Sequence, residues 1–136
     1  MRKAGKRTIL VVEDDDSIRR LIARVLEDDG MVPLPAGSAS EGLSLFEGHN
    51  ASIDLAIIDM VMPGMSGLDL AAELERRRPG MRILYISGYV ESVAMECVAR
   101  RDPDLVLLKP FNGTTLMARV QSLLPAAKTR RGIATS

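Results

Sequence analysis

Several short apolar runs in this chain end in residues able to do chemistry. Ile9-Leu10-Val11-Val12 runs into Glu13-Asp14, and Leu55-Ala56-Ile57-Ile58 runs into Asp59. Ile83-Leu84-Tyr85-Ile86 runs into Ser87, and Leu105-Val106-Leu107-Leu108 runs into Lys109. Ligands of an open parallel sheet bind beyond the carboxyl ends of its strands. If these runs are neighbouring strands, one sheet edge gathers carboxylates, a hydroxyl and an ammonium, a site for a divalent cation and an anionic group. A carboxylate can attack phosphorus to give an acyl phosphate, and such a transfer needs positioning and charge stabilisation more than covalent help. Mg²⁺ suits the set, because it takes one or two carboxylates, phosphate oxygens and water. Without an ion, Glu13, Asp14 and Asp59 would repel one another. Lys109 can pair with Asp59 at rest and with a phosphoryl oxygen after reaction. Ser87 offers its hydroxyl to another, and Gly88 leaves room for a donor.

Any one of these groups has a plainer explanation. A lone acid at a strand end is usually a helix cap, and Asp15 and Asp16 are read that way. A lone lysine there is usually solvated. The weight rests on four strand ends carrying the set together.

The elements that must position these groups follow from periodicity. Short β-branched runs alternate with helix-period stretches, the pattern of repeated βα units and a parallel sheet. Strands are expected over 8–12, 31–34, 55–58, 83–87 and 105–108. Helices are expected over 17–29, 39–47, 68–78, 92–100 and 113–124. The first helix should bury Ile18, Leu21, Ile22, Val25 and Leu26, with Gly30 ending it. The third should use Leu68, Ala71, Ala72, Leu74 and Glu75, with Arg76-Arg77-Arg78 suiting its C-terminus. The strands are apolar throughout, so helices should cover both sheet faces.

With 136 residues, the length suits one domain with a full core. Lys+Arg and Asp+Glu both number 18, so no overall field favours nucleic acid or an acidic membrane. Cys97 is the only cysteine, which excludes an internal disulfide and fits a reducing compartment. No apolar run is long enough to span a membrane, so a soluble, cytoplasmic location is expected. Residues 1–6 and 125–136 fit no core pattern and are expected to be flexible ends. The basic residues Lys128, Arg130 and Arg131 are read as a solvated tail. His49, the only histidine, is expected in a loop and not as a phosphodonor.

In its motifs the chain resembles the receiver domain of bacterial two-component response regulators. The resemblance covers residues 7–124. It is carried by Leu-Val-Val-Glu-Asp-Asp, Asp59-Met-Val-Met-Pro-Gly-Met-Ser-Gly, Ser-Gly-Tyr and Lys109-Pro110-Phe111. It implies a three-layer α/β fold, a (βα)5 doubly wound parallel sheet of flavodoxin-like order 2-1-3-4-5. It implies Asp59 as phosphoacceptor, and Asp14, Asp59 and the backbone carbonyl of Val61 as direct Mg²⁺ contacts, with Glu13 acting through water. Ser87 takes the switch hydroxyl position and Lys109 that of the family's lysine. The phosphodonor would be a sensor histidine kinase or a histidine phosphotransfer protein, and phosphorylation would change partner binding. Direct nucleic-acid or membrane binding is not expected, and homodimerisation is left open. The motifs look closest to receivers attached to hybrid sensor kinases.

The chain departs from the family pattern at three places. Glu13 stands where Asp is commoner, and Ser87 where Thr is commoner. Val106, three residues before Lys109, replaces the usual rotating Tyr or Phe. Tyr89 is either a substitute sensor or an ordinary loop tyrosine.

Two other classes use related parts. Haloacid-dehalogenase-like phosphohydrolases attack through Asp beside Mg²⁺, but they need a second Asp where this chain has Val61, and their nucleophile comes first in the chain. A pseudo-receiver that binds partners without phosphate would usually lack Asp59 or Lys109. The expectation is a signalling module whose only chemistry is its own phosphorylation and slow dephosphorylation.

Overall fold

The computed structural model describes residues 6–88, 100, 102 and 105–124. Within them run β1 (Thr8–Val12), α1 (Asp16–Asp28), β2 (Val32–Ala36), α2 (Ala39–His49), β3 (Ile53–Asp59), α3 (Gly67–Arg77), β4 (Ile83–Ser87), β5 (Val106–Leu108) and α4 (Gly113–Leu123). The expected helix over 92–100, with Cys97, lies outside the described residues apart from Arg100. So do Tyr89 and nearly all of both chain ends.

The strands form one parallel sheet in the order β2-β1-β3-β4-β5. Alternate residues of each strand feed opposite faces. Leu10, Val12, Ala56 and Ile58 pack with Phe46 of α2 and Leu70 and Leu74 of α3. Ile9, Val11, Leu55 and Ile57 pack with Ile22 and Leu26 of α1 and Leu116 and Val120 of α4. A strand buried on both faces has no polar alternation, which is why the central runs are continuously apolar. The result is the flavodoxin-like, doubly wound three-layer fold.

Some local expectations need correction. β2 runs two residues past the expected 31–34 and contains Pro33 and Pro35. It pairs only with β1, and proline is tolerated on an edge strand, where its missing N–H faces no partner. Leu21, expected in the core, is 42% exposed. At 3.6 residues per turn it lies about 120° from the mean direction of the buried Ile22 and Leu26. In α3 the buried residues are Gly67, Leu70, Ala71 and Leu74; Ala72 and Glu75 face solvent. His49 is no loop residue: it closes α2, with its ring Nδ1 3.0 Å from the Leu45 carbonyl.

Candidate functional site

The strand register brings the chemical groups to one edge. Val12 is level with Ile58, so Glu13, the next residue after β1, comes level with Asp59. Asp59 in turn is level with Ile86, and Ser87 with Leu108. Beyond the strands, the Met60 N–H donates to the Ile86 carbonyl at 2.9 Å and the Lys109 N–H to the Ser87 carbonyl at 2.8 Å. These bonds carry the sheet ladder one step past its last side chains. Between β1 and β3 the strand order reverses, which is the crevice where open α/β sheets bind ligands.

Glu13, Asp14 and Asp59 offer carboxylate oxygens that all lie within 4.8 Å of one another. Glu13, Asp59 and Ser87 are buried, whereas Asp14 is exposed and forms the open side. The Lys109 ammonium stands 3.5 Å from Asp59 Oδ2 and 3.3 Å from Glu13 Oε1. It was expected on Asp59 alone; it lies between both buried acids. Asp59 Oδ1 accepts the Val61 N–H at 3.2 Å, so both Asp59 oxygens are engaged. Glu13 Oε2 accepts the Asp15 N–H at 3.1 Å. Glu13 Oε1 is buried without a hydrogen bond despite its nearness to the ammonium.

The electrostatics follow from this crowding. Burial, and then the neighbouring Asp59 carboxylate, push the Glu13 carboxyl from 4.5 up to about 7, against the Asp15 N–H and the Lys109 charge. Burial works against the Lys109 ammonium, but the charges of Glu13 and Asp59 outweigh it and raise its pKa. Buried carboxylates that repel, and a buried carboxylate oxygen lacking a hydrogen bond, fit a hard divalent cation with water in its shell. All the side-chain donors are oxygens, which suits Mg²⁺ better than a thiolate-seeking metal.

Local sequence explains how each group is held. Asp15 accepts the Ile18 N–H at 3.0 Å and caps α1, leaving Glu13 and Asp14 to face the crevice. Asp16 is spent on an ion pair with Arg19. Ser66 caps α3 by accepting the Asp69 N–H at 3.2 Å. Gly67 follows it as the first residue of α3. A methyl group there would sit 2.2 Å from the Asp59 carbonyl oxygen and 2.7 Å from Met60 Cα. Its bare backbone lets α3 start against the end of β3, and the sequence signal was a glycine directly after a capping serine. Val106 is buried in β5, so no aromatic ring stands at that position. A side chain at Gly88 would meet nothing within 4 Å, consistent with an open approach.

Residues 9–121 match the family model described as the response regulator receiver domain. The chain is 31% identical over 121 residues to the sensor kinase CckA of Brucella abortus (strain 2308), covering 89% of this chain but 13% of that protein. It is 29% identical to the transcriptional regulatory protein CseB of Streptomyces avermitilis, covering 85% of this chain and 48% of that protein. The chain thus spans half or less of the length of these relatives. Among solved structures, the response regulator protein TrrA from Thermotoga maritima, crystallised in complex with Mg²⁺-BeF, superposes with a TM-score of 0.70 at 31% identity, covering 87% of this chain and 99% of that one. The chain belongs to the response regulator receiver domain family of two-component systems.

Proposed function

We propose that residues 7–124 act as a phosphoacceptor module, with Asp59 as the site of phosphorylation. The observation that carries this reading is the placement of the Lys109 ammonium between buried Asp59 and Glu13, with exposed Asp14 completing the carboxylate cluster. Glu13, Asp14 and Asp59, with the backbone carbonyl of Val61, would hold Mg²⁺, which when bound neutralises charge on the transferring phosphoryl group. An Asp59 carboxylate oxygen attacks the phosphorus of a phosphohistidine on a sensor kinase or phosphotransfer protein. The P–N bond breaks as the P–O bond forms, and the departing imidazole takes up a proton. The Val61 N–H fixes Asp59 through Oδ1. Lys109 transfers its contact from Asp59 Oδ2 to a phosphoryl oxygen, and Ser87 donates its hydroxyl to another.

The only chemistry is the module's own phosphorylation and slow hydrolysis, and the output is altered partner binding. The setting is cytoplasmic. Incubation with Mg²⁺ and acetyl phosphate should add one phosphoryl group by mass spectrometry, and Asp59→Ala should abolish it. Equal modification of Asp59→Ala would refute the assignment.

A further inference from the structure

The run Glu13-Asp14-Asp15-Asp16 is strongly self-repelling, yet one guanidinium joins its two ends. Arg19 Nη1 donates to the Glu13 backbone carbonyl at 2.9 Å, while Nη2 pairs with the Asp16 carboxylate. The Arg19 side chain is 22% exposed. Its Nη1 would be 3.2 Å from a Cβ placed on Gly37, so the absent side chain there makes its room. From the other direction, the Glu13 N–H donates to the Ala36 carbonyl at 3.0 Å. Glu13 is therefore held at its N–H by the end of β2, at its carbonyl by Arg19 and at Oε2 by the Asp15 N–H. The oxygen left over is Oε1, within the carboxylate cluster.

We infer that Arg19 is a positioning residue for the cation site, fixing the Glu13 backbone so that the Glu13 carboxylate faces Asp59. This rests on the proposed reading of that cluster as a Mg²⁺ site. Coulomb's law alone predicts the opposite effect from positioning. A guanidinium close to a divalent cation repels it, so removing the charge should tighten Mg²⁺ binding if Arg19 acts only as a charge. If it acts by fixing Glu13, removing it should weaken binding.

Calorimetric titration with Mg²⁺ of wild type, Arg19→Met and Arg19→Lys, each with and without Glu13→Gln, separates the two. Loss of a group that orients a metal ligand costs about 10- to 100-fold in affinity, and this open site should sit near the lower end for Arg19→Met. Arg19→Lys, which can hold one acceptor but not both, should lose about threefold. In the Glu13→Gln background the Arg19→Met loss should shrink to less than about twofold, because the carboxylate that Arg19 orients is then absent. Unchanged or tighter binding by Arg19→Met overturns the inference, as does an equal loss in the Glu13→Gln background. Should Arg19→Met fail to fold, wild-type affinity in Arg19→Lys overturns it instead. A wild-type protein with no saturable Mg²⁺ binding would remove the cation site and this inference together. A binding wild type with an indifferent Arg19 would remove the inference alone.

Discussion

Replacing Glu13 by glutamine should stabilise the metal-free protein. The carboxyl is raised from 4.5 to about 7, first by burial and then by Asp59. Such a group favours the folded state fully below about 4.5, and that advantage is lost as pH rises through about 7. Above that, ionised Glu13 destabilises the fold by at most about 3 kcal/mol. The open side at Asp14 admits solvent, which reduces the expected figure to about 1–2 kcal/mol. Glutamine keeps an oxygen for the Asp15 N–H and removes the charge. In a domain of this size the melting temperature at pH 8 without Mg²⁺ should rise by about 4–8 °C. Urea or thermal unfolding between pH 5.5 and 8 is the assay. Over that window the difference between variant and wild type should grow with pH. Added Mg²⁺ should stabilise wild type more than the variant, since only the former offers a third carboxylate. The reasoning is refuted if Glu13→Gln is less stable than wild type at pH 8 without metal, or if the difference between them does not change with pH.

Lys109→Met should slow phosphorylation of Asp59 by acetyl phosphate about a hundredfold through loss of a charged contact to the phosphoryl group, and stopped time courses by mass spectrometry would check it. Gly67→Ala forces a methyl against the Asp59 carbonyl, 2.2 Å away without relaxation, and should destabilise by about 1–3 kcal/mol in urea unfolding while also slowing modification. With beryllofluoride and Mg²⁺, amide shifts should concentrate over 87–100 and 109–111, and Ser87→Ala should suppress most of them; an intact pattern in Ser87→Ala would exclude the hydroxyl as the switch. Tyr89→Ala in the same experiment tests whether that ring replaces the aromatic missing at Val106.

The central strands were legible because burial on both faces leaves an unbroken apolar run, and the chemical residues were legible because each terminates such a run. The strand order came from the family resemblance, since periodicity alone does not say which strands are neighbours. The expected β2 stops before Pro35 because a second proline argues against a strand until its edge position is known. Leu21 was assigned to the core because spacing by three and four admits a wider stripe than the sheet covers. The acidic run was partly legible. That one of Asp15 and Asp16 caps α1 was expected, but Asp16's pairing with Arg19 depends on a side chain reaching back over the helix. The need for Gly67 was hidden for the same kind of reason: its neighbour is the backbone of Asp59, adjacent in space and not in the helix pattern.

Both margins of the sheet are poor templates for further strands. β2 presents Pro33 and Pro35 along its outer side, so an approaching strand finds missing donors. At the opposite margin β5 is only three residues long, and Arg119 of α4 donates to its Val106 carbonyl. Protected edges discourage joining of sheets between molecules. Copies of this module, or different modules sharing a chain, can therefore sit at high local concentration without merging their sheets. Recognition is left to helices and loops, beside the sheet edge that carries Asp59.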